Sequence, residues 1–591
     1  MGYQYLLAHV QYTIPPAILL TALYRPLWTR IDTYKISFLI TISVFSTIPW
    51  DNYLIVNRVW SYPEDAIIGP CFFSIPLEEL FFFFIQTYDT TIFYLLCNKT
   101  TVHVAYLNEI RQGKSSSKVT RNRIIGGFVA VILVAALGQS IRMVQSGTEG
   151  TYMGLIGIWV LPFMLMLWSI SYQHLLTLPA ANILLPIAVP TSLLVFMDTM
   201  HLQRGTWVIN EGTKLGIQPW KHMEIEELVF FIATNTMIVM GLVAFDYGLA
   251  LPTAFPSRHP TFTGRTPFLE MMKPGFRAFF TTEFPVDEYH HISESISILK
   301  KKSRSFHTAS AVFEGRLRLD LILLYSFCRA ADDLIDDSPA PEASLLRLRE
   351  LLDIAYSPKR KHEFPGFIKA NFPEWAHAPL LSLPAHKIPR GPFDGLLDGF
   401  EMDMSFPGCE GTPVKKEKWP IRGEEELWSY CSRVAGTVGE MFFSLVMTHY
   451  PASEEEQKLI PDLLVQADTM GIALQLVNIA RDIEKDSMIG RVYIPGTWLK
   501  QAGLTEEDII ADPSRGEVFR PKLLAEAEKR YQESIAAVEM LPEETRGGAK
   551  VAIECYMDIG RRMQNQPEGK ARWKAGKLQR IFKAWKVMNQ A

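Results

Sequence analysis

The chain has 591 residues, enough for two or three domains. Hydrophobic residues make up 48% of it and the mean hydropathy is +0.08, which is high for a wholly soluble protein. A formal net charge of −4 argues against a nucleic-acid partner, and six scattered cysteines without a CxxC pair argue against a zinc or disulfide framework.

Long apolar runs predict a membrane bundle in the first half of the chain. A helix needs about 20 mostly apolar residues to cross a bilayer, and we find no run approaching that length beyond residue 250. We therefore predict seven transmembrane helices within 1–250. The runs at 34–49 and 180–197 are the shortest, and either could be re-entrant. The seven runs are 4–24, 34–49, 75–97, 124–142, 151–170, 180–197 and 228–248.

Basic residues predict the orientation of this bundle. They concentrate after the first run, after the third run and after the last run. Because cytoplasmic loops carry an excess of Lys and Arg, these three segments are expected on the cytoplasmic side. We therefore expect an integral, multi-pass membrane protein with its C-terminal domain in the cytoplasm. The residues are Arg25, Arg30 and Lys35; Lys99, Arg111, Lys114, Lys118, Arg121 and Arg123; Arg258, Arg265, Lys273 and Arg277.

The membrane half contains an internal repeat. PLEELFFFFIQT at 76–87 recurs as EIEELVFFIATN at 224–235. Upstream of each copy an aspartate precedes a tryptophan by nine residues, Asp51 before Trp60 and Asp198 before Trp207. An even number of helices separates the copies, so both have the same orientation. A parallel repeat of this kind predicts a site between its halves.

The repeat places carboxylates at the start of two membrane helices. Such groups are costly in a bilayer and suggest function, although a glutamate at a helix N-terminus also complements the helix dipole. The duplication, with its companion Asp and Trp, favours function. The candidates for acid and base chemistry are Glu78, Glu79, Glu226 and Glu227, with Asp51 and Asp198 to orient them.

Proline-rich sequence predicts a linker at 251–287, followed by an all-α domain at 288–591. Within that domain, 338–392 and 405–420 are also rich in proline. Both stretches are expected to be loops or insertions, and we assign no role to 338–392.

Two acidic segments dominate the second half. In YSFCRAADDLIDD (325–337), Asp332 and Asp336 are four residues apart, and in LQLVNIARDIEKD (474–486) Asp482 and Asp486 repeat that spacing. On a helix each such pair shares a face. Facing carboxylates repel unless cations lie between them, and magnesium bridged by a substrate diphosphate suits such a cavity. The alternative is that both segments are solvated helix ends.

The second half, about 288–585, resembles the squalene/phytoene synthase family. The motifs are KKSRSF (301–306), YSFCRAADDLIDD, YCSRVAGTVGE (430–440), LQLVNIARDIEKD and GRVYIP (490–495). The resemblance implies an α-helical isoprenoid-synthase fold and condensation of two geranylgeranyl diphosphates to phytoene with Mg²⁺, Mn²⁺ being an alternative and no nicotinamide being implied. It also implies metal binding by Asp332, Asp336, Asp482 and Asp486, with Asp403 as a weaker candidate, and substrate binding by Ser305, Phe306, Tyr325, Arg329, Gln475, Asn478 and Arg481.

The first half is similar to the integral-membrane lycopene cyclases of fungi, archaea and actinobacteria. The order of the two halves is similar to that of the fungal bifunctional lycopene cyclase/phytoene synthase family. This resemblance implies proton-initiated closure of lycopene or other acyclic carotenoid ends into β-rings, within a lipid bilayer. Trp60 and Trp207 are expected either to shield the ring cation or to anchor the protein at the interface. A phytoene desaturase must act between the two steps, which makes it a candidate partner.

Two alternatives stay open at this point. The second half could be a squalene synthase-like prenyl transferase that reduces its intermediate with NADPH. The first half could be a transporter-like bundle or a membrane anchor without catalysis, because intramembrane acids and parallel repeats also occur in transporters.

Overall fold

The computed structural model describes residues 2–107, 117–256, 262–263, 265–280, 286–406, 419–565 and 577–590. The chain divides into two compact units, Met1–Val286 and Asp287–Ala591. Nearly all regular structure in both units is helical, which confirms the all-α prediction. The few strands of the described residues lie in the first unit and are two residues long.

The first unit is a bundle of long apolar helices. Within the described residues of this unit, seven helices are long and apolar enough to span a membrane. The first is Gln4–Leu27, in which a π-helical turn at His9–Thr13 separates two α-helices. The segments near 34–49 and 180–197 are 27 and 25 residues long as helices and are full spans by this measure. The helices are α1 (Gln4–Ala8), α2 (Ile14–Tyr24), α3 (Arg30–Val56), α4 (Leu77–Asn98), α5 (Ser117–Ser146), α6 (Thr151–Thr177), α7 (Ala180–Arg204), α8 (Ile225–Ala254) and α9 (Phe268–Phe280).

Four short strands organise the loops at one end of this bundle. They are β1 (Trp60–Ser61), β2 (Cys71–Phe72), β3 (Ile75–Pro76) and β4 (Val208–Ile209). β1 pairs antiparallel with β4, with Trp60 opposite Ile209, and β2 pairs with β3. The β1–β4 pair joins the α3–α4 loop to the α7–α8 loop. Both copies of the repeat therefore lie at the same end of the bundle, as the sequence predicts.

The segment expected to be a linker contains a helix. α8 continues to Ala254, and α9 begins at Phe268 and packs against α8. The two backbones approach closely at glycines: a Cβ on Gly248 would lie 3.2 Å from the carbonyl oxygen of Gly275. The absence of side chains at these positions lets the helices touch.

The second unit is a helical domain with one continuous apolar core. Its helices are α10 (Val286–Lys302), α11 (Arg304–Ala309), α12 (Gly315–Asp336), α13 (Pro341–Tyr356), α14 (Phe364–Asn371), α15 (Glu374–Leu381), α16 (Gly391–Asp403), α17 (Glu424–Cys431), α18 (Thr437–His449), α19 (Glu454–Gln457), α20 (Ile460–Met488), α21 (Gly496–Gln501), α22 (Glu506–Ala511), α23 (Arg520–Ser534), α24 (Glu543–Asn565) and α25 (Lys577–Gln590).

The expectation that 338–392 is a loop is wrong, and whether it is an insertion stays a prediction. This stretch forms α13, α14 and α15, and Leu348, Leu351 and Leu352 of α13 are buried in the core. Its prolines misled the prediction, because Pro341 occupies the first turn of α13, where proline is compatible with a helix. Most of the second proline-rich stretch, 405–420, lies outside the described residues.

α20 is also long and apolar enough to cross a membrane, with 29 residues. The prediction that nothing beyond residue 250 reaches this length was therefore wrong. The reason is that α20 packs against α18, α23 and α24, and side chains such as Leu476 and Val477 are fully buried in the domain core. A helix in the middle of a helical domain is apolar on several faces, and composition does not separate it from a membrane span.

Candidate active sites

Three helices of the second unit bring carboxylates together. Asp332 and Asp336 lie in the last turn of α12, Asp403 ends α16, and Asp482 and Asp486 lie near the end of α20. Asp403 lies near enough to interact electrostatically with Asp332, Asp336 and Asp486. The two acidic segments of the sequence therefore face a common centre.

The carboxylates of this centre repel one another. Burial and repulsion from Asp336 raise the pKa of Asp332 to about 7. Burial and repulsion from Asp482 raise the pKa of Asp486 to about 7. Burial raises the pKa of Asp403 to about 6, although nearby Arg491 opposes the shift. A site that disfavours its own negative charge in this way attracts cations.

Arginines already partner several of these acids. Arg481 forms a two-point pair with Asp482, at 3.0 and 2.6 Å, and Arg329 contacts Asp332 at 3.0 Å and Asp333 at 2.7 Å. Arg491 donates to Asp336 at 2.6 Å. Guanidinium groups can donate paired hydrogen bonds of this kind to phosphate oxygens as well as to carboxylates.

The other predicted substrate-site residues flank α12 and α20. Phe306 stacks on Tyr325 with ring centroids 4.0 Å apart. Asn478 donates to Gln475 at 3.3 Å, and no donor within the described part of the chain reaches the buried Oδ1 of Asn478. The backbone of Ser305 lies in α11, and its side chain is outside the description.

In the first unit, one glutamate of each repeat ties down a loop. Glu78 Oε1 accepts the backbone N–H of Ile68 at 2.7 Å, and Glu226 Oε1 accepts that of Leu215 at 2.7 Å. Both glutamates are buried. The two copies of the repeat therefore use their first glutamate in the same way, to hold the preceding loop against the helix start.

The second glutamate of each repeat is bound by tyrosines. The hydroxyls of Tyr5 and Tyr62 both donate to Oε2 of Glu79, Tyr62 at 2.6 Å. The hydroxyl of Tyr152 donates to Oε1 of Glu227 at 2.6 Å. Glu79 is 3% exposed and Glu227 is 0% exposed. These acids are enclosed among phenols rather than among cations.

The paired aspartates and tryptophans differ between the copies. The indole N–H of Trp207 donates to Asp198 at 2.9 Å, whereas no acceptor among the described residues reaches the indole N–H of Trp60. Asp51 lies near enough to Glu79, and Asp198 near enough to Glu79 and Glu227, to interact electrostatically. Four carboxyl groups from both repeats therefore share one buried region.

Several oxygens of this region have no partner. Within the ranges that the structure describes, no hydrogen-bond donor reaches Oε2 of Glu224 or one oxygen on each of five predicted site residues. A buried unpaired polar atom is costly, more so on a charged group. Such a cluster is compatible with acids that carry protons. The atoms on the predicted site residues are Asp51 Oδ2, Glu78 Oε2, Asp198 Oδ2, Glu226 Oε2 and Glu227 Oε2.

Another buried acid of the bundle, Asp246, lies among basic side chains. Asp246 of α8 contacts Lys35, His103 at 3.3 Å and the hydroxyl of Tyr94 at 2.8 Å. It lies about 28 Å along α8 from Glu227, at a rise of about 1.5 Å per residue. Because basic side chains balance its charge, Asp246 forms a structural ion pair.

Comparison with known proteins decides the family. The chain is 43% identical to the bifunctional lycopene cyclase/phytoene synthase of Phaeosphaeria nodorum, with 100% of both chains covered. This chain belongs to the bifunctional lycopene cyclase/phytoene synthase family. The relative of the same name from Gibberella fujikuroi is also 43% identical over the full length of both chains. The family model for squalene/phytoene synthase matches residues 299–579.

Membership in the bifunctional lycopene cyclase/phytoene synthase family confirms the two predicted enzyme classes, a prenyl transferase and a carotenoid cyclase. Among solved structures, a dehydrosqualene synthase in complex with a ligand is 24% identical, with a TM-score of 0.40, and covers 51% of this chain and 96% of its own.

The donor set of the synthase half fits a divalent cation held partly by substrate. No group of three or more metal-ligating side chains converges on one point among the described residues. Magnesium bound through one or two carboxylates and diphosphate oxygens does not need such a cage. This mode of binding fits the two aspartate pairs, Asp332 with Asp336 and Asp482 with Asp486. Within each pair the two carboxylates repel each other, and a cation would relieve that repulsion.

Sequence reasoning missed several residues of both sites. Arg491, Tyr430 and Tyr493 contact the acidic centre and lie in the GRVYIP and YCSRVAGTVGE motifs, so the motifs themselves could have indicated them. Tyr5 and Tyr152 carry no comparable signal. They lie on apolar helices far from the repeat, and only the fold brings them to Glu79 and Glu227.

Proposed function

We propose that the second unit condenses two molecules of geranylgeranyl diphosphate to phytoene and that the first unit closes the ends of lycopene into β-rings. The observation that carries the synthase assignment is the electrostatic interaction of Asp403 with Asp332 and Asp486, which brings acids of three helices near one another, in a chain whose residues 299–579 match the synthase family. The observation that carries the cyclase assignment is the buried acid cluster built from both repeats.

The synthase reaction begins with loss of diphosphate from an allylic carbon. Asp332, Asp336, Asp482 and Asp486 would hold Mg²⁺, which would supply charge stabilisation for the departing diphosphate. Arg329 and Arg481, already fixed by aspartates, bind its outer oxygens. Phe306 and Tyr325, stacked beside α12, present aromatic faces to the prenyl chain and exclude water that would trap the allylic cation.

The cyclase reaction needs an acid, an apolar cavity and a base. A proton adds to the terminal double bond, the neighbouring double bond closes the ring, and a proton then leaves, without redox change. A free glutamic acid with a pKa of about 4.3 is protonated in only roughly one molecule in 500 at pH 7. Removal from water favours the neutral acid. We assign proton exchange to Glu79 and Glu227, loop fixation to Glu78 and Glu226, and orientation to Asp51 and Asp198.

We further propose that the basic loops lie on the cytoplasmic side, together with the second unit. The β1–β4 end of the bundle, which carries the acid cluster, then faces the opposite side of the membrane. Labelling of single introduced cysteines near Glu64 and near Lys273 with a membrane-impermeant reagent tests this orientation. Opposite accessibility at the two positions supports it, and equal accessibility contradicts it.

The two activities are separated by substitutions in the full-length chain. Asp332→Asn and Asp482→Asn should abolish phytoene formation from geranylgeranyl diphosphate, while added lycopene is still cyclised. Farnesyl diphosphate and NADPH, supplied in parallel reactions, test the squalene synthase-like alternative. Reduced product from the wild-type chain would favour that alternative. Failure of the wild-type chain to cyclise lycopene would favour the anchor or transporter alternative.

A further inference from the structure

The two tyrosine-bound glutamates occupy equivalent positions in the repeat but have different hydrogen bonds. Oε2 of Glu79 receives two phenolic hydroxyls, from Tyr5 and Tyr62. Glu227 receives one, from Tyr152, on Oε1. No donor in the described part of the chain reaches Oε2 of Glu227, which is fully buried. The repeat is therefore symmetric in sequence and asymmetric in its chemistry.

Hydrogen-bond stoichiometry indicates which form of each acid the protein stabilises. A carboxylate only accepts hydrogen bonds, and two phenolic donors on one oxygen stabilise its charge. An ionised Glu227 would leave a charged oxygen buried without a partner, which is costly. A neutral Glu227 lowers this cost, because an uncharged carboxyl group is less costly to bury than a charged one.

We propose that Glu227 donates the proton that starts ring closure and that Glu79 removes the proton that ends it. This division rests on the proposed cyclase function of the acid cluster. The O–H bond of Glu227 breaks as a C–H bond forms at the terminal alkene. The neighbouring alkene then forms the ring C–C bond, and Glu79 takes a proton from the ring cation as the new double bond forms.

The proton must return before the next turnover. The cycle consumes no net proton, because the substrate gains one and loses one. Asp198 interacts electrostatically with both Glu79 and Glu227, and its Oδ2 has no partner among the described residues. Asp198 therefore influences the charge of both glutamates, and it is a positioning residue for both.

The separate roles of Glu227 and Glu79 predict different products when each residue is replaced. A purely structural role would not change the position of the ring double bond. The ring cation can lose a proton from the ring carbon that carries the polyene chain, from a ring methylene or from a methyl group. Each loss gives a ring with its double bond in a different place, and the position of the base selects among them. Loss of the donor instead prevents any ring from forming.

The test compares Glu227→Gln with Glu79→Gln in the full-length, membrane-embedded chain supplied with lycopene. Products are separated by chromatography, and the ring double bond is located by NMR. Glu227→Gln should lower all cyclisation by about 10²–10⁴-fold. Glu79→Gln should still form rings, with the double bond displaced or with a hydroxyl from captured water. Phytoene formation by the same chain reports that each variant is present in comparable amount.

Exposed glutamates in the same two loops provide matched controls. Glu64 precedes α4 and Glu211 precedes α8, and both are exposed. Glu64→Gln and Glu211→Gln should give β-rings at the wild-type rate. Tyr62→Phe, which removes one donor from Glu79, should shift a smaller share of product to isomeric rings. It also serves as the second variant if Glu79→Gln does not fold.

The other possible results with Glu227→Gln and Glu79→Gln would each contradict the proposal. Isomeric rings from Glu227→Gln with no rings from Glu79→Gln would reverse the two roles and overturn the proposal. Loss of all rings in both variants, or isomeric rings in both, would show that the roles are not divided. Normal β-rings at a normal rate from both variants would instead reject the cyclase function of the cluster.

Discussion

Arg491 donates a hydrogen bond to Asp336 at 2.6 Å, across 155 positions of sequence, and connects the segment after α20 to the end of α12. The same guanidinium opposes the burial-driven rise in the pKa values of Asp403 and Asp486. One arginine therefore supplies positive charge to acids on all three helices of the synthase centre. In the proposed reaction, the metal ions and the substrate diphosphate would bind at the same acidic centre.

Replacement of Arg491 should weaken substrate binding more than it slows bond breaking. Arg491→Gln removes charge that offsets Asp336, Asp403 and Asp486, and the apparent KM for geranylgeranyl diphosphate should rise about 10–100-fold. Arg491→Lys keeps the charge without the planar fork and should be intermediate. Arg515, which is 50% exposed in a pair with Asp508, offers Arg515→Gln as a control with unchanged KM. An unchanged KM in Arg491→Gln would show that Arg491 has no part in binding.

Asp320 should make the synthase unit sensitive to acid. It is fully buried and contacts Arg316 at 2.8 Å, His449 at 2.7 Å and Lys387. Burial alone would raise its pKa, but these basic partners hold the pKa of Asp320 well below its usual range. Because the carboxyl has a pKa of about 3.9 in an unfolded chain, its contribution to stability is complete above about pH 5 and decreases as the pH falls towards the folded-state value.

Substitution at Asp320 measures this contribution. Asp320→Asn leaves buried basic groups without their counter-charge and should lower the free energy of unfolding by about 3–5 kcal/mol at pH 7. Thermal inactivation of phytoene formation, followed from pH 7 towards pH 4, reports it. The difference from wild type should narrow as the pH falls. Asp353 forms an exposed pair with Arg390 at 2.7 Å, and Asp353→Asn should change stability by less than about 1 kcal/mol. Equal effects of both substitutions would contradict the prediction.

Repeated motifs and helix spacing were enough to predict the seven long apolar helices, the two acidic segments and the position of both repeat copies at one end of the bundle. Spacing of four places Asp332 with Asp336 on one face of any helix, but the pairing of the two repeat loops was not predicted. Long-range partners were not predictable in this way. Tyr152 reaches Glu227 across 75 residues, and Tyr5 reaches Glu79 across 74, through helix packing that no local pattern encodes.

The error at 338–392 has a local physical cause. Proline composition suggested a loop, yet Pro341 lies in the first turn of α13, where no backbone N–H is needed. The error over α20 is the reverse case, because a helix buried in a domain core has the composition of a membrane span. In the first case the position of a proline within the helix determines whether the segment is helical. In the second case the position of the helix within the fold, not its composition, determines whether it is a core helix or a membrane span.

The glycine at position 471 should be required for the close packing of α20 against the π-helical turn Ser432–Gly436. A Cβ on Gly471 would lie 2.5 Å from the backbone oxygen of Ala435. Because backbone cannot move aside as a side chain can, Gly471→Ala should destabilise the unit by about 1–3 kcal/mol and lower the midpoint of thermal inactivation of phytoene formation. On α14, a Cβ on Gly366 would meet nothing within 4 Å, so Gly366→Ala should be neutral or slightly stabilising. A neutral Gly471→Ala would show that the helices separate at little cost.

The first glutamates of the repeat should act through loop fixation rather than through proton transfer. Glu226 Oε1 accepts the backbone N–H of Leu215 at 2.7 Å, and Gln retains an oxygen that can accept the same bond. Glu226→Gln should therefore keep most lycopene cyclisation, whereas Glu226→Ala leaves a buried N–H unpaired at a cost of about 1–3 kcal/mol and should lower cyclisation strongly. Glu78, which accepts the N–H of Ile68, should give the same contrast. Chromatography of lycopene and its cyclised products from membranes measures both pairs, with phytoene formation as the internal standard. Equal loss in the Gln and Ala variants would instead assign these two acids to proton transfer, because only then is the ionisable oxygen itself required.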